Sequence, residues 1–336
     1  MAYEITGTGR ALPDRRVTND DLAEKIDTSD EWILSHTGIG ARRVAGEETA
    51  ASDLALEAAR QALSMAMPEK SIEEAALSLD MIVLATVTPD FFGTPSTACI
   101  VQDKLMAKNA GAMDITAGCS GFIYGLETAA ALLSLNNERK RALLICSEAL
   151  TKFTNWDDRA TCVLFGDGAG AVVLEKTETS GGRRGLIRTS LKADGSGAEY
   201  LCLKRGGSRA PYKAGEIIEQ VPHISMNGQA VYNFAVKAIT DLTKEILAAE
   251  GVSIDDVAII VPHQANARII QAAARRLKVP EEKFYLNIEE YANTSAASIP
   301  IALDELNRNG KLKSGDLILT VGFGGGLTYG ANLIVW

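Results

Sequence analysis

The chain has 336 residues, which at roughly 150 residues per domain predicts two domains or one large domain of two similar halves. Apolar residues make up 46% and charged residues 23%, a composition that supports a buried core and excludes intrinsic disorder. The formal net charge of -9 excludes a general nucleic-acid binder, because phosphate binding needs a basic field.

The five cysteines are scattered and odd in number, without CxxC spacing, so neither a disulfide framework nor a zinc site is predicted. The N-terminal segment has no basic stretch followed by an apolar one, and no segment reaches the roughly 18 apolar residues of a membrane span. We therefore expect a cytoplasmic protein that is neither secreted nor membrane-embedded.

An internal repeat organises the predicted elements. The first half predicts a helix, a buried strand, a helix and a short strand at residues 51–65, 79–85, 96–107 and 112–115. The second half predicts the same series at residues 231–249, 257–261, 265–277 and 284–288. Each series then reaches a turn of small residues that begins a helix, at residues 117–121 and 291–296.

The spacing within the two copies is similar. Cys119 lies 39 residues after Asp80 and Asn293 lies 37 after Asp256, which predicts nearly equivalent places for Cys119 and Asn293. A further strand and a glycine-rich turn with an apolar strand complete each half, at residues 141–146, 165–174, 316–321 and 324–335.

Alternating strands and helices predict sheets covered by helices. A linker over residues 177–184 divides the chain into an N-terminal half, 1–178, and a C-terminal half, 179–336.

Cys119 lies between small residues at a predicted strand-to-helix turn. A helix N-terminus offers backbone N–H groups and the positive end of a dipole, which lower the pKa of a thiol. The functional interpretation of Cys119 is therefore a thiolate nucleophile. The ordinary alternative, a small buried apolar residue, is what we expect of Cys99, Cys146 and Cys162.

Only three histidines are present, so imidazole chemistry must use His36, His223 or His263. His263 follows a predicted buried strand, where α/β sheets place ligands. Asn293 carries an amide that does not titrate and suits holding an oxyanion. If the halves pack about a pseudo-twofold axis, these two residues and Cys119 converge. The ordinary alternatives are a core histidine and a helix N-cap.

Two glycine clusters, residues 166–170 and 322–326, look like dinucleotide-binding loops, but both run into apolar strands. A dinucleotide fingerprint must open a helix. We interpret the clusters as tight turns whose backbone approaches a ligand or donates an N–H to an oxyanion.

The predicted helix from Ala265 carries Arg268, Arg275 and Arg276 in an acidic chain. This face is either a docking site for an acidic partner or an ordinary solvated surface. Trp32 lies in a polar stretch and either stacks on a planar ligand or packs in the core.

Four motifs stand in order along the chain, at Asp114–Phe122, His263–Asn266, Asn293–Pro300 and Gly322–Gly326. With these motifs the chain resembles the β-ketoacyl-acyl carrier protein synthase III family of thiolase-fold condensing enzymes over essentially its whole length. The resemblance implies an α/β, thiolase-like fold of two pseudo-twofold-related halves, each a mixed sheet with helices, layered α-β-α-β-α. It also implies a homodimer.

The resemblance implies a ping-pong reaction without a metal or redox cofactor. Cys119 takes an acyl group from acyl-CoA, and malonyl-acyl carrier protein then enters. His263 and Asn293 bind the malonyl thioester carbonyl and stabilise the enolate left by decarboxylation. The enolate attacks the acyl-cysteine to give 3-oxoacyl-acyl carrier protein, which initiates type II fatty acid synthesis. Backbone N–H groups of Cys119 and Gly325 form the oxyanion hole, and Phe323 shields the thiolate.

The family pattern also implies substrate-binding residues. Trp32 and Arg159 correspond to the pair that sandwiches the adenine of coenzyme A, and Thr37 and Arg268 line the same tunnel. The docking face for the acidic carrier protein consists of three basic residues, Arg268, Arg275 and Arg276.

Three positions depart from the family pattern. His36 stands where many relatives carry an arginine near the coenzyme A phosphates, so we expect the permanent charge contact to be weaker and binding to depend on pH. Ala292 replaces a common glycine. Thr94 stands where many members place a bulky residue in the partner subunit's primer pocket, so we expect branched or longer primers to be admitted.

Three other functions compete. The order Cys, His, Asn also describes papain-like proteases, but these are typically secreted with disulfides. A specialised-metabolism acyltransferase of the same fold would form another ketone, an ester or an amide with the same residues. A noncatalytic dimeric binding protein predicts no change on Cys119→Ala.

Overall fold

The computed structural model describes residues 1–178, 183–218 and 222–336. Its strands are β1 (Ala2–Ala11), β2 (Arg16–Thr18), β3 (Ala41–Arg43), β4 (Met81–Ala85), β5 (Gly111–Ile115), β6 (Arg141–Glu148), β7 (Gly168–Thr177), β8 (Gly185–Ala193), β9 (Leu201–Leu203), β10 (Ile224–Met226), β11 (Ile259–Pro262), β12 (Leu317–Gly324) and β13 (Thr328–Val335). Its α-helices are α1 (Asn19–Ala23), α2 (Asp30–Thr37), α3 (Ala51–Ala66), α4 (Ile72–Leu77), α5 (Thr97–Lys104), α6 (Gly121–Ser134), α7 (Arg159–Cys162), α8 (Gly228–Glu250), α9 (Ala267–Leu277), α10 (Ile288–Tyr291) and α11 (Ser298–Arg308).

Two mixed sheets form the frame of the described part of the chain. One has the strand order β5-β4-β6-β7-β1, in which β4 is parallel to β5 and β6 while β7 is antiparallel to β6 and β1. The other has the order β11-β12-β13-β8, in which only the β11–β12 pair is parallel. The inner strand β4 is buried along its whole length, as expected for a strand covered on both faces.

Helices cover both sheets and also separate them. Buried side chains of α6 and α11 share one core cluster with β4, β6, β11 and β12, so these two helices lie between the sheets. The helices α3 and α5 pack on the outer face of the first sheet, and α8 and α9 pack on the outer face of the second. The layers therefore run α-β-α-β-α, which confirms the predicted architecture.

Most predicted helices and strands are confirmed with small shifts at their ends, but the strand predicted at 284–288 is wrong. Phe284 makes a single parallel bridge to Ile260, and the chain then enters α10. The ladder stops because the next available N–H, that of Asn287, donates to the side chain of Gln264 at 3.1 Å instead of to β11. The position that β5 occupies in the first sheet is thus reduced to one bridge in the second.

The equivalence predicted between Cys119 and Asn293 is displaced by three residues. The 3-10 turns Gly118–Ser120 and Ser295–Ala297 precede α6 and α11 respectively, and both begin at a residue with positive φ, +52° and +49°. Cys119 therefore matches Ala296 rather than Asn293. A count of 39 from Asp256 reaches Ser295, so the count of 37 to Asn293 stopped before the equivalent position.

The division into halves 1–178 and 179–336 remains a prediction, and residues 179–182 of the proposed linker lie outside the described residues. Cys146 and Cys162 are buried as expected, whereas Cys99 is exposed, because it lies on the outer side of the first turn of α5. Within the described ranges, no helix is long and apolar enough to cross a membrane.

Candidate active site

Bare backbone surrounds Cys119. A Cβ atom on Gly324 would lie 2.4 Å from the Cys119 backbone nitrogen, and one on Gly118 would lie 2.7 Å from the Gly325 carbonyl oxygen. Because real Cβ atoms do not approach so closely, glycine is required at both places. The end of β12 and the turn Gly325–Leu327 thus pack directly against the cysteine turn. The prediction of a tight turn over residues 166–170 is wrong from Gly168 onward, where the chain is already in β7.

Cys119 is buried, and its thiol is neutral in the resting site. Burial raises its pKa to about 12; the negative charge of Glu148 acts in the same direction, while contacts with the Ser295 hydroxyl and the Gly325 N–H oppose it. This differs from the expectation that the helix N-terminus yields a thiolate, since loss of hydration outweighs the local donors. Acylation of this sulfur therefore needs an acceptor for its proton.

His263 directly follows β11 and is also buried. Its Nδ1 lies 2.8 Å from Ser298 Oγ, and its ring meets the Phe323 ring edge-on at 5.2 Å between centroids. Burial lowers the pKa of His263 to about 3, so the imidazole is neutral at physiological pH. Ser298 Oγ also donates to the Ser295 carbonyl at 2.9 Å, so the tautomer of His263 sets the direction of its bond with Nδ1. In the tautomer that carries its proton on Nε2, that atom is a hydrogen-bond donor.

Asn293 is held by the backbone of residues 164–166. Its N–H donates to the Leu164 carbonyl at 3.0 Å, and its carbonyl accepts from the Gly166 N–H at 3.0 Å. Its side-chain Oδ1 accepts from the Ser295 N–H at 2.8 Å. The amide is thereby oriented, and its NH2 group is directed away from that turn as a potential donor.

Two cavities meet at Cys119. One of about 130 Å³ is lined by Cys119, His263, Asn293 and Phe323, so the structure brings these four predicted residues together; we call it the triad cavity. A larger one of about 360 Å³, the apolar cavity, is also lined by Cys119 and includes Gly325. Other residues of the apolar cavity are Val87, Thr88, Leu150, Phe153, Leu201, Cys202 and Ser295.

The residues predicted to bind adenine lie together outside these cavities. The Arg159 guanidinium carbon is 4.8 Å from the centre of the Trp32 ring, and the His36 ring stacks on Trp32 at 4.5 Å. An inserted base would need roughly 7 Å between its two partners, twice an ordinary carbon–carbon contact. The Arg159 side chain must therefore move before a base can enter between it and Trp32.

Thr37 ends α2 and is buried. Its hydroxyl donates to the Ile33 carbonyl at 2.7 Å and accepts from the Ile39 N–H at 3.0 Å. Both bonds belong to the end of α2, so the side chain stabilises this helix end, and its role in lining a coenzyme A tunnel stays a prediction.

The basic residues of α9 are exposed beside the triad cavity. Asn266, which lines that cavity, caps α9 and also donates to the His36 carbonyl at 3.0 Å. The exposed arginines of this helix are Arg268, Arg275 and Arg276. The first turn of α9, which carries Arg268, thus lies next to His36, while Arg275 and Arg276 lie two turns further along the helix. The docking role of these arginines stays a prediction.

Two departures from the family pattern have a structural context. Thr94 is exposed and lines neither cavity; instead the ring of Phe92 meets that of Phe153, a wall residue of the apolar cavity, at 5.8 Å. Ala292 adopts φ +56°, a conformation that glycine takes without strain.

Sequence reasoning missed Ser298 and Glu148. Ser298 lies inside the motif Asn293–Pro300. It follows Ser295 by three residues at the start of a helix, a spacing that places both serines on one side of the helix. Glu148 ends β6 and is completely buried. The only sequence signal for it was an acidic residue at the end of an apolar strand.

Among residues 1–178, 183–218 and 222–336, no group of three or more His, Cys, Asp or Glu side chains could hold a metal ion.

Comparisons with known proteins match the whole chain. The family model "3-Oxoacyl-[acyl-carrier-protein (ACP)] synthase III" matches residues 113–195, and the model of the same family's C-terminal part matches residues 247–336. A β-ketoacyl-[acyl-carrier-protein] synthase III of Caldanaerobacter subterraneus is 49% identical, with 100% of this chain and 98% of the relative covered. One from Clostridium perfringens is 49% identical, with 98% of each covered.

Solved structures agree. The 3-oxoacyl-[acyl-carrier-protein] synthase III of Aquifex aeolicus is 44% identical with a TM-score of 0.88, and each chain is covered completely. A priming β-ketosynthase from a polyketide biosynthetic pathway is 32% identical with a TM-score of 0.89, covering 99% of this chain and 96% of that one. The sequence motifs, the layered fold and these likenesses lead to one assignment: this chain belongs to the β-ketoacyl-acyl carrier protein synthase III family of condensing acyltransferases.

Proposed function

We propose that this chain catalyses the decarboxylative condensation of an acyl-CoA primer with malonyl-acyl carrier protein. The products are 3-oxoacyl-acyl carrier protein, free coenzyme A and CO2, and the reaction initiates type II fatty acid synthesis. The single observation that carries this proposal is that Cys119, His263 and Asn293 line one cavity. A thiol, a neutral imidazole and an amide are the groups that this chemistry needs.

Each residue has a distinct task. The sulfur of Cys119 attacks the thioester carbonyl, and the N–H groups of Cys119 and Gly325 hold the resulting oxyanion. His263, uncharged because it is buried, and the Asn293 amide donate hydrogen bonds to the malonyl thioester oxygen as the enolate forms. Phe323 packs on His263 and shields the sulfur from water.

The acyl chain of the primer occupies the apolar cavity, whose volume of about 360 Å³ suits a short or branched chain. Coenzyme A binds through Trp32 and Arg159 after the arginine moves, and serves as a substrate, with no further cofactor. The acidic carrier protein docks on Arg268, Arg275 and Arg276, and the chain acts as a homodimer.

Intact-mass spectrometry after incubation with separate acyl-CoA thioesters tests the function. We expect one acyl increment on the wild-type protein, none on Cys119→Ala, and discharge of the increment by malonyl-acyl carrier protein. The primers rank by the extent of loading, and strong preference for acetyl with exclusion of longer chains would contradict the expectation from Thr94.

Other outcomes would change the assignment. An increment that persists with malonyl-acyl carrier protein but clears with another acceptor would favour a specialised-metabolism enzyme of the same fold. Absence of any increment would remove the nucleophile role of Cys119.

A further inference from the structure

Glu148 is a buried carboxyl group to which the proposed reaction gives no task. It accepts hydrogen bonds from Thr88 Oγ1 at 2.7 Å, from the Val87 N–H at 3.1 Å and from Thr86 Oγ1 at 3.3 Å. Val87 and Thr88 also line the apolar cavity that Cys119 shares. The carboxyl group is therefore fixed directly behind the wall of that cavity.

The turn that begins at Ser295 packs against both β6, which ends at Glu148, and the turn that carries Cys119. The Ser295 hydroxyl oxygen is buried and, among the described residues, has no hydrogen-bond partner of normal geometry. The hydroxyl nevertheless approaches both the Cys119 thiol and the Glu148 carboxyl closely enough to lower the pKa of each. A small rotation of one hydroxyl would thus connect the two groups.

The backbone at Ser295 also favours a task for this hydroxyl. Ser295 has φ +49°, and the equivalent position of the other turn, Gly118, has φ +52°. Glycine adopts this conformation without strain, whereas serine does not. Strained backbone that is held by its surroundings is typical of functional sites. At this position serine supplies a hydroxyl, which the unstrained glycine would lack.

In the described part of the chain, the titratable groups near this site besides the thiol are Glu148 and Cys146 from β6 and His263 after β11. Burial raises the pKa of Cys146, which excludes it as a base, and lowers that of His263 to about 3, which makes imidazole a weak proton acceptor. Burial raises the pKa of Glu148 to about 7, against the donors that surround it. A general base works best when its pKa lies near the operating pH.

We propose that Glu148 accepts the Cys119 proton through the Ser295 hydroxyl during acylation, an inference that rests on the proposed function. The proton leaves Sγ for Ser295 Oγ while the hydroxyl proton of Ser295 passes to the Glu148 carboxylate. Ser295 lines the apolar cavity together with Cys119 and exchanges the proton with the sulfur, whereas Glu148 acts through Ser295 as the final proton acceptor.

The electron pairs and protons balance through both halves of the reaction. In acylation the sulfur pair forms the S–C bond, the C–S bond of the thioester breaks, and coenzyme A leaves as a thiolate that takes a proton from water. In condensation the acyl–sulfur bond breaks, and the Glu148 proton returns through Ser295 to the Cys119 thiolate. One proton from water is consumed per turnover, together with the release of CO2.

Single-turnover acylation of Cys119 by an acyl-CoA that loads the wild type, followed across about two pH units either side of neutrality, tests the relay. We expect Glu148→Gln and Ser295→Ala each to slow acylation by about a hundred-fold and to abolish the rise of rate with pH near 7. The double variant should be no slower than either single variant, because both lie on one path. The rate of decarboxylation of malonyl-acyl carrier protein should fall by a factor about ten times smaller than the factor for acylation.

Two further variants keep the test decisive. Ser147→Ala removes another buried hydroxyl beside Glu148, one that donates to the Ala51 carbonyl at 2.7 Å, and should keep the wild-type rate and pH profile. Ser295→Gly removes the same hydroxyl as Ser295→Ala while relieving the positive φ, so it is the variant of choice if the alanine variant does not fold. If Glu148→Gln and Ser295→Gly both keep the wild-type acylation rate and its rise with pH near 7, the proton relay is wrong, while the proposed function still stands. Failure of the wild type to load would instead overturn the proposed function.

Discussion

The turn that carries Cys119 and the turn that follows Asn293 share a backbone but not a chemistry. Each begins at positive φ, forms one 3-10 turn and leads into a helix between the two sheets. In the first turn the residue with positive φ is a glycine, and the next residue is the nucleophile. In the second turn that residue is a serine, and the amide of Asn293 stands two residues before. One local geometry therefore places a sulfur in one copy and hydrogen-bonding groups in the other.

Removing the amide from the second turn should separate the two tasks most strongly. We expect Asn293→Ala to lower the rate of condensation by about 10²–10³-fold, because an oxyanion donor is lost. Acylation of Cys119 should fall far less, since the first turn stays intact. Steady-state turnover and single-turnover acylation measure the two effects, with the exposed Asn136→Ala as control. Equal losses in both half-reactions would contradict the division of tasks.

Adding one methyl group to the first turn should break its packing. Gly118→Ala places a Cβ 2.7 Å from the Gly325 carbonyl at a residue with φ +52°. We expect the free energy of unfolding to fall by roughly 2–5 kcal/mol from strain and overlap together. Gly310→Ala, at φ +65° with no atom within 4 Å, isolates the strain and should cost only about 1–2 kcal/mol. Equal losses in urea unfolding would show that the contact with Gly325 is unimportant.

Two buried groups beside the second turn should affect the pH dependence of stability in opposite ways. The pKa of His263 is lowered from 6.5 to about 3, so the unfolded chain binds the extra proton and stability is lost as pH falls through this range. The pKa of Glu148 is raised from 4.5 to about 7, so the folded chain holds the extra proton and stability is lost as pH rises through this range. Each slope is about 1.4 kcal/mol per pH unit at most.

Single variants should expose these opposing slopes. The free energy of unfolding is measured in urea at several pH values. With increasing pH it should rise more steeply in Glu148→Gln than in the wild type, and less steeply in His263→Gln. The same change of slope in both variants would contradict the assignment.

The smallest effect is expected where serine is returned to glycine. Ser295→Gly relieves the positive φ and removes a buried unpartnered hydroxyl, so we expect a stabilisation of about 1 kcal/mol. Lys278→Gly, at φ +57° on the exposed end of α9, relieves the strain alone and should give less. A clear loss of stability in Ser295→Gly would mean that the hydroxyl stabilises the resting fold.

The repeat and the motifs made much of the site predictable. The helices and strand predicted in the second half match α8, β11 and α9 closely. Each of these elements buries apolar side chains, so the spacing of apolar residues in the sequence predicts it. Cys119, His263 and Asn293 were predicted from strand-end and turn positions, and they line one cavity. Phe284 shows the limit: its segment has a strand-like pattern, but a side chain from another loop takes the hydrogen bond that would extend the ladder.

What the amino-acid sequence determined by itself was the family, the layered fold and the identity of the chemical groups, since these follow from local pattern and from motifs in order. Only the tertiary structure decided the state of those groups. The thiol of Cys119 is neutral, the Thr37 hydroxyl is used within its own helix end, and Arg159 rests against Trp32. Glu148 lies beside the nucleophile although they are 29 residues apart in the chain. Desolvation and proximity depend on atoms from distant segments, so no stretch of sequence specifies them alone.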